Sequence, residues 1–281
     1  MKAKRLFLVV LIVFVVALLA GSVSAAERKT AYLSMSNVTA EEIQTIAEAF
    51  INNGKIKVFR SGEKFPTTRV FYDSLTSLIM ALNAGDVYEI ALPKPVAEYV
   101  MNVNDNVEIT TIVRTMPSSL AFGFRKDDAP SLRSKFNEAL MSMKADGTLA
   151  ILRSKYIDEP GLDDPEPVKF EKFDNVDTTI KVAVTGDLPP IDFIAADGTP
   201  AGFNTAVIAE IAKRLKINVE LVNIASGARA ASLASKRSDV VFWFQFYEAS
   251  DIQPDLPEDV VSSEPYYTWN EGLYLKLKDK N

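Results

Sequence analysis

Six consecutive residues, Phe242-Trp243-Phe244-Gln245-Phe246-Tyr247, place five aromatic rings around one amide. Rings at this density can wall a flat, apolar or cationic ligand, through stacking or cation–π attraction. The same run also fits a buried strand, with one set of rings in the core and the other under a crossover helix. Histidine and cysteine are both absent from the 281 residues. Their absence removes disulfides, thiolate nucleophiles, Cys/His zinc sites and every histidine-based triad. A general base would have to be a carboxylate, a lysine or a tyrosine. Binding is therefore favoured over catalysis, and no cofactor or metal is expected.

The elements that must position such residues are clearest between Ile180 and Trp243. Ile180, Val182 and Val184 alternate with Lys181, Ala183 and Thr185, as in a half-buried strand. Asp187-Leu188-Pro189-Pro190 stops it, and Asp197-Gly198 marks a turn. From Phe203, the apolar residues Val207, Ile208, Ile211, Ala212 and Leu215 recur at helical spacing, with Asn204 or Thr205 as the expected cap. Val219, Leu221 and Ile224 predict a second strand, Ala230 to Ser235 a short helix, and Asp239 to Trp243 a third strand. Strand and helix in alternation predict a parallel α/β unit.

The N-terminal part reads similarly. Ala31 to Met35 is a strand, followed by a helix with Thr39 and Glu42 at capping-box spacing. Ser36, Asn37 and Thr39 sit where a helix N-terminus could hold an anionic group, and equally where they would only cap. Short strands are expected at 55–59, 70–72 and 89–92, with a helix from Leu75 closed by Asn83-Ala84-Gly85. Residues 109–112 and 121–124 predict two further strands, and 132–156 two helices interrupted at Asp146-Gly147. The first 25 residues combine Lys2, Lys4 and Arg5, an apolar run from Leu6 to Ala20, and Val23-Ser24-Ala25, the pattern of a secretory signal peptide. Removing it makes a chain of formal charge -6 more acidic still, so a nucleic-acid partner is not expected.

The series Pro189-Pro190-Ile191-Asp192-Phe193, Asp197-Gly198 and Gly202-Phe203-Asn204, leading into a helix that ends Lys213-Arg214-Leu215, resembles the opening lobe of family-3 extracellular solute-binding proteins, the receptors of amino-acid ABC importers. Lys144-Ala145-Asp146-Gly147-Thr148-Leu149 resembles that family's last helices, and Pro265 to Leu277 its first hinge crossing. The resemblance implies an α/β, two-lobed periplasmic binding protein-like type II fold. The order is shifted, because the opening lobe occupies the last third of the chain. The expectation is a circular permutation. It comprises a signal peptide (1–25), the second lobe (27–120), helices returning to the first lobe (121–158), a linker (159–177), and the first lobe with its hinge strand (178–281).

The implied role is a periplasmic, monomeric receptor that captures a small polar or aromatic molecule between its lobes and presents it to an ABC permease. Candidate ligand contacts, implied by strand ends in that fold, are Asp187, Asp192, Phe193, Trp243 and Gln245 from one lobe and Ser36, Asn37, Thr39 and Lys94 from the other. The family's carboxylate-gripping arginine is missing from residues 244–264, and its ammonium-binding aspartate falls on Pro93. Lys94 or Arg229 is left as a possible substitute for the arginine. An enzyme on the same fold, of the cyclohexadienyl dehydratase type, and a ligand-sensing partner of a membrane protein are the competing readings.

Overall fold

The computed structural model describes residues 28–34, 57–60, 67–127, 129–158, 165–174, 176, 178–246 and 257–279. The calls on Ser36, Asn37 and Thr39, and on the first 25 residues, lie outside them. No described helix is long and apolar enough to cross a membrane.

Strands β1 (Arg28–Leu33), β3 (Thr67–Tyr72) and β4 (Glu89–Pro93) pair in parallel, with β1 in the middle. Strands β6 (Thr179–Val184), β10 (Asn218–Asn223) and β11 (Val240–Phe246) repeat this order, with β6 in the middle. Each trio is completed by an antiparallel strand arriving from the other half of the chain. β13 (Tyr267–Leu277) runs beside β4, and β5 (Val107–Arg125) beside β11. β5 and β13 also pair with each other, so one sheet passes through both lobes. β12 (Val260–Ser262) and β2 (Lys57–Arg60) lie along β5, and β7 (Asp187–Leu188), β8 (Asp192–Ile194) and β9 (Pro200–Ala201) form a small separate sheet.

Helix α1 (Leu75–Ala84) is capped by the Ser74 hydroxyl, which accepts from the Ser77 N–H at 3.1 Å, and it ends on Gly85 in the left-handed region. Its Leu75, Leu78 and Leu82 are buried. Helix α2 (Lys94–Val103) starts directly after β4, with Pro95 in its first turn. Proline is tolerated there because first-turn N–H groups have no helical partner. Helices α3 (Ala129–Ala145) and α4 (Thr148–Arg153) break at Gly147, φ 83°, and a wide turn (Ser154–Asp158) closes the run. This tail packs on α5 (Phe203–Leu215), where Arg214 binds Asp146 at 2.8 Å and the Ser142 and Thr148 hydroxyls at 2.6 and 2.9 Å. α6 (Arg229–Ala234) covers the opposite face of the β6 sheet, over Ala183, Val241 and Val260.

Two expectations differ from the structure. Residues 109–112 and 121–124 are one strand, β5. The cap of α5 is Gly202, at φ 91°, and Asn204 and Thr205 are buried inside the first turn. The stretch before β6, expected as a linker, packs on the β6 lobe over residues 165–174. Val168 N–H donates to Pro200 O at 2.8 Å, Pro167 bridges Ala201, and Phe173 and Asn218 exchange two hydrogen bonds.

Gly202 is required by space as well as by φ. A Cβ there would lie 2.9 Å from the carbonyl oxygens of both Pro190 and Ile191. Gly198 shares a positive φ, but nothing lies within 4 Å of its Cβ position. Gly202→Ala should therefore cost about 2–4 kcal/mol in chemical denaturation, and Gly198→Ala only about 1 kcal/mol. Equal costs would show that the Gly202 approach is not a real constraint.

Candidate functional site

Both third strands end at the same place. Pro93, the last residue of β4, pairs with Gly272, and Phe246, the last of β11, pairs with Ser118. Between Gly272 and Ser118 the β5–β13 ladder shifts register, from Trp269↔Ser118 to Glu271↔Arg114. Asn270 and residues 115–117 are skipped, and Pro117 has no N–H to give. The carboxyl ends of both parallel trios thus converge on one flexion point. In open α/β sheets ligands bind in the crevice outside those ends, at the strand where the order reverses. Here those strands are β1 and β6, followed by Ser34 and by Thr185-Gly186. The two lobes also touch away from the ladder, where α1 approaches β7.

The Asp192 carboxylate is enclosed at the floor of the β6 lobe, 4% exposed. Its Oδ2 accepts from Thr185 N–H and Thr185 Oγ1, both at 2.9 Å, and its Oδ1 accepts from Gly186 N–H at 3.2 Å. Burial pushes this carboxyl above its usual range, while the Thr185 and Gly186 donors and the field of buried Arg229 pull it back. Asp192 thus ties the end of β6 to the β7–β8 hairpin. Phe193 is partly buried in that hairpin, opposite Asp187 in register. Beside it, the Tyr266 hydroxyl donates to Asn204 Oδ1 at 2.8 Å, and the Tyr266 ring stacks on Phe122 at 4.5 Å. Burial, followed by the nearby Asp192 charge, holds the Tyr266 phenol well above its ordinary range.

Lys94 opens α2 at the carboxyl end of β4. Its ammonium lies 3.4 Å from Glu271 and 3.9 Å from Glu98. Glu271 also accepts from Arg114 Nε at 3.0 Å, and the Arg114 bond is the largest influence holding its carboxyl low. On the other side of the flexion point, Tyr267 stacks on Trp269 at 5.7 Å and the Ser119 and Thr268 hydroxyls meet at 3.0 Å. Burial raises the Tyr267 phenol to about 12.

The candidates therefore separate by place. Asp187, Asp192 and Phe193 come together on one hairpin, and Lys94 sits across the flexion point. Trp243 and Gln245 lie in β11, paired with Ala121 and Ser119, so their backbones run towards the same point. Arg229, weighed as a substitute for the missing arginine, is buried in α6 within the field of Asp192. The sequence reading missed Glu271 altogether, since a lone strand glutamate carries no motif. Among the described residues no group of three His, Cys, Asp or Glu could hold a metal ion.

Two parallel trios that share a pair of crossing strands have the arrangement of a two-lobed, periplasmic binding protein-like type II fold. Residues 180–281 match the family model of bacterial extracellular solute-binding proteins, family 3. No curated protein matches the chain. Among solved structures it is similar to a ligand-binding component of an ABC-type import system from Staphylococcus aureus, solved with zinc bound, at 10% identity and a TM-score of 0.43, covering 89% of this chain and 65% of that one. This chain thus spans just under two thirds of the S. aureus protein. It is also similar to the alkanesulfonate-binding protein of Xanthomonas axonopodis pv. citri bound to MOPS, at 8% identity and a TM-score of 0.42, covering 92% and 67%. A third likeness is to the GluR0 ligand-binding core in complex with L-glutamate, at 10% identity and a TM-score of 0.40, covering 92% and 87%.

Removing the Asp192 carboxylate would leave three donors without their acceptor. Asp192→Ala should destabilise the fold by about 2–4 kcal/mol in urea titration. A cost within about 0.5 kcal/mol, the level of an ordinary surface change, would mean that the carboxylate is not structural and would return it to the ligand candidates.

Proposed function

We propose that this protein is an extracytoplasmic solute receptor of an ABC importer, binding a small polar or aromatic molecule between its lobes without transforming it. The observation that carries the reading is the convergence of both sets of strand ends on a single flexion point, joined to the match of residues 180–281 to the family-3 model. Ligand that bridges the lobes favours their closed arrangement, and a membrane permease can read that state. The signal-like first 25 residues support export to the periplasm. Asp187, Phe193, Trp243, Gln245 and Lys94 remain the proposed contacts, together with Ser36, Asn37 and Thr39. Asp192 is better explained as their scaffold.

The chain order is read as a circular permutation. Thr30 of β1 pairs with Glu89, and Leu275 of β13 pairs with Ile90, so both ends of the described chain lie at the amino end of β4. Two strand spacings, about 10 Å, separate β1 from β13 there. At the other junction, the stretch containing residues 165–174 leads from the tail helices into β6 along the lobe it would have had to reach. A reordered chain, with 178–281 followed by a short glycine-rich link and then 28–158, should fold and melt within a few degrees of the original. Failure of the reordered chain to fold cooperatively would count against the permutation.

The receptor reading is tested by thermal shift of the leader-free protein against amino acids, amines, organic acids and aromatic metabolites. A ligand at a hundredfold excess over its Kd should stabilise the folded state by about 2.7 kcal/mol. Turnover of a hit, detected as a new product, would favour the dehydratase-like alternative. A screen with no shift for any class would overturn small-molecule capture and favour a partner of a membrane sensor.

A further inference from the structure

One row of backbone partners runs from the crevice to the outside of the β6 lobe. Asp187 faces Phe193, Phe193 faces Ala201, and Ala201 faces Pro167. Residue 167 thus stands where a fourth strand of the small sheet would, on the outer side of β9. The inner end of the row meets the other lobe, where β7 lies against α1. The small sheet is in this sense the rim of the crevice.

That sheet is too small to hold its position by itself. Its strands are two, three and two residues long, and sheets this short need packing from elsewhere. Its base is secured. Asp192 binds Thr185 and Gly186, Ile194 N–H donates to Gly186 O at 3.1 Å, and α5 packs against β8 and β9. The outer strand β9 is different, because one of its two residues is Pro200, which has no N–H for a ladder. What closes that edge is the stretch 165–174. Val168 N–H donates to Pro200 O at 2.8 Å. Val168 and Phe170 pack on the main core, while Lys169 and Glu171 between and after them are exposed. Both ends of the stretch are tied down, Glu166 to Lys155 on the tail and Phe173 to the Asn218 side chain on β10.

We propose that residues 165–174 are a positioning strap for the crevice rim. By pairing with Pro200 and Ala201 they fix β9, β9 fixes the β8 strand that carries Phe193, and β8 fixes β7 where it meets α1. A segment that only spanned the distance from the tail to β6 would need none of these bonds. On the receptor reading, on which this consequence rests, the strap sets where Asp187 and Phe193 stand and so contributes to affinity without touching ligand.

Hydrogen–deuterium exchange of the leader-free, ligand-free protein tests the strap. Residues 187–201 report the rim, and β6 with β11 report the lobe as a whole. Replacing 165–172 by an equal length of Gly-Ser keeps the chain connected and removes the pairing with β9. The rim should then exchange about tenfold faster, as for a net loss of one or two hydrogen bonds, with β6 and β11 unchanged. Asn218→Ala frees only the far end of the strap. It should move the rim in the same direction by about threefold, and it decides the matter if the replacement does not fold. Unchanged rim exchange in the folded variants, or an acceleration shared equally by β6 and β11, would overturn the strap. No ligand enters this experiment, so its failure leaves the receptor reading standing, and an empty ligand screen leaves the strap standing.

Discussion

The β5–β13 ladder is the constraint on which the rest of the molecule depends. Each strand finishes the sheet of the lobe it did not start in, so neither lobe closes its own edge. The core follows the ladder. Leu92, Leu273 and Leu275 on one side belong to the same buried cluster as Leu120, Phe122, Phe203 and Tyr266 on the other. Two separate half-domains in tandem would leave unpaired strand edges and split this cluster. Pairing along the ladder, rather than the order of the lobes in the chain, is what holds the two halves together.

The ladder also determines where bending can occur. Paired strands resist flexion because bending breaks several hydrogen bonds together, whereas a bulge concentrates twist in a few residues. Here the skipped residues are Asn270 and 115–117, and they are bracketed by side-chain ties on either flank. Glu271 holds Arg114 and Lys94 on one flank, and Ser119–Thr268 with the Tyr267–Trp269 stack holds the other. A stiff element on each side of a short irregular one is the mechanical form of a hinge.

Local periodicity made most of the elements legible. Alternation at Ile180, Val182 and Val184 and helical spacing from Phe203 to Leu215 both appear in the structure, because each side packs against one core. Non-local effects were not legible. Thr115-Met116-Pro117-Ser118-Ser119 breaks the apolar pattern of β5, so it reads as two strands, yet the partner β13 carries the strand through. Asn204 and Thr205 have cap chemistry, but the Pro190 and Ile191 carbonyls leave room only for glycine at the true cap. The 165–174 stretch has linker composition, and its docking rests on backbone bonds and on Asn218, which composition does not report. The partner of Lys94 lies far away in sequence on β13, so the state of that ammonium was invisible without the fold.

That pairing bears on what the crevice can recognise. Lys94, Arg114, Glu98 and Glu271 are two cations and two anions in one connected group, and Arg153 with Asp158 adds one more of each. The charge near the flexion point therefore cancels locally, and the overall acidity of the chain gives an approaching anion no long-range attraction. An anionic ligand could still take Lys94, but only in competition with Glu271, which would keep Arg114. The hinge brace would then lose one tie and retain the other. In that geometry a charge bound at the carboxyl end of β4 is felt directly at the flexion point, because the same glutamate serves both.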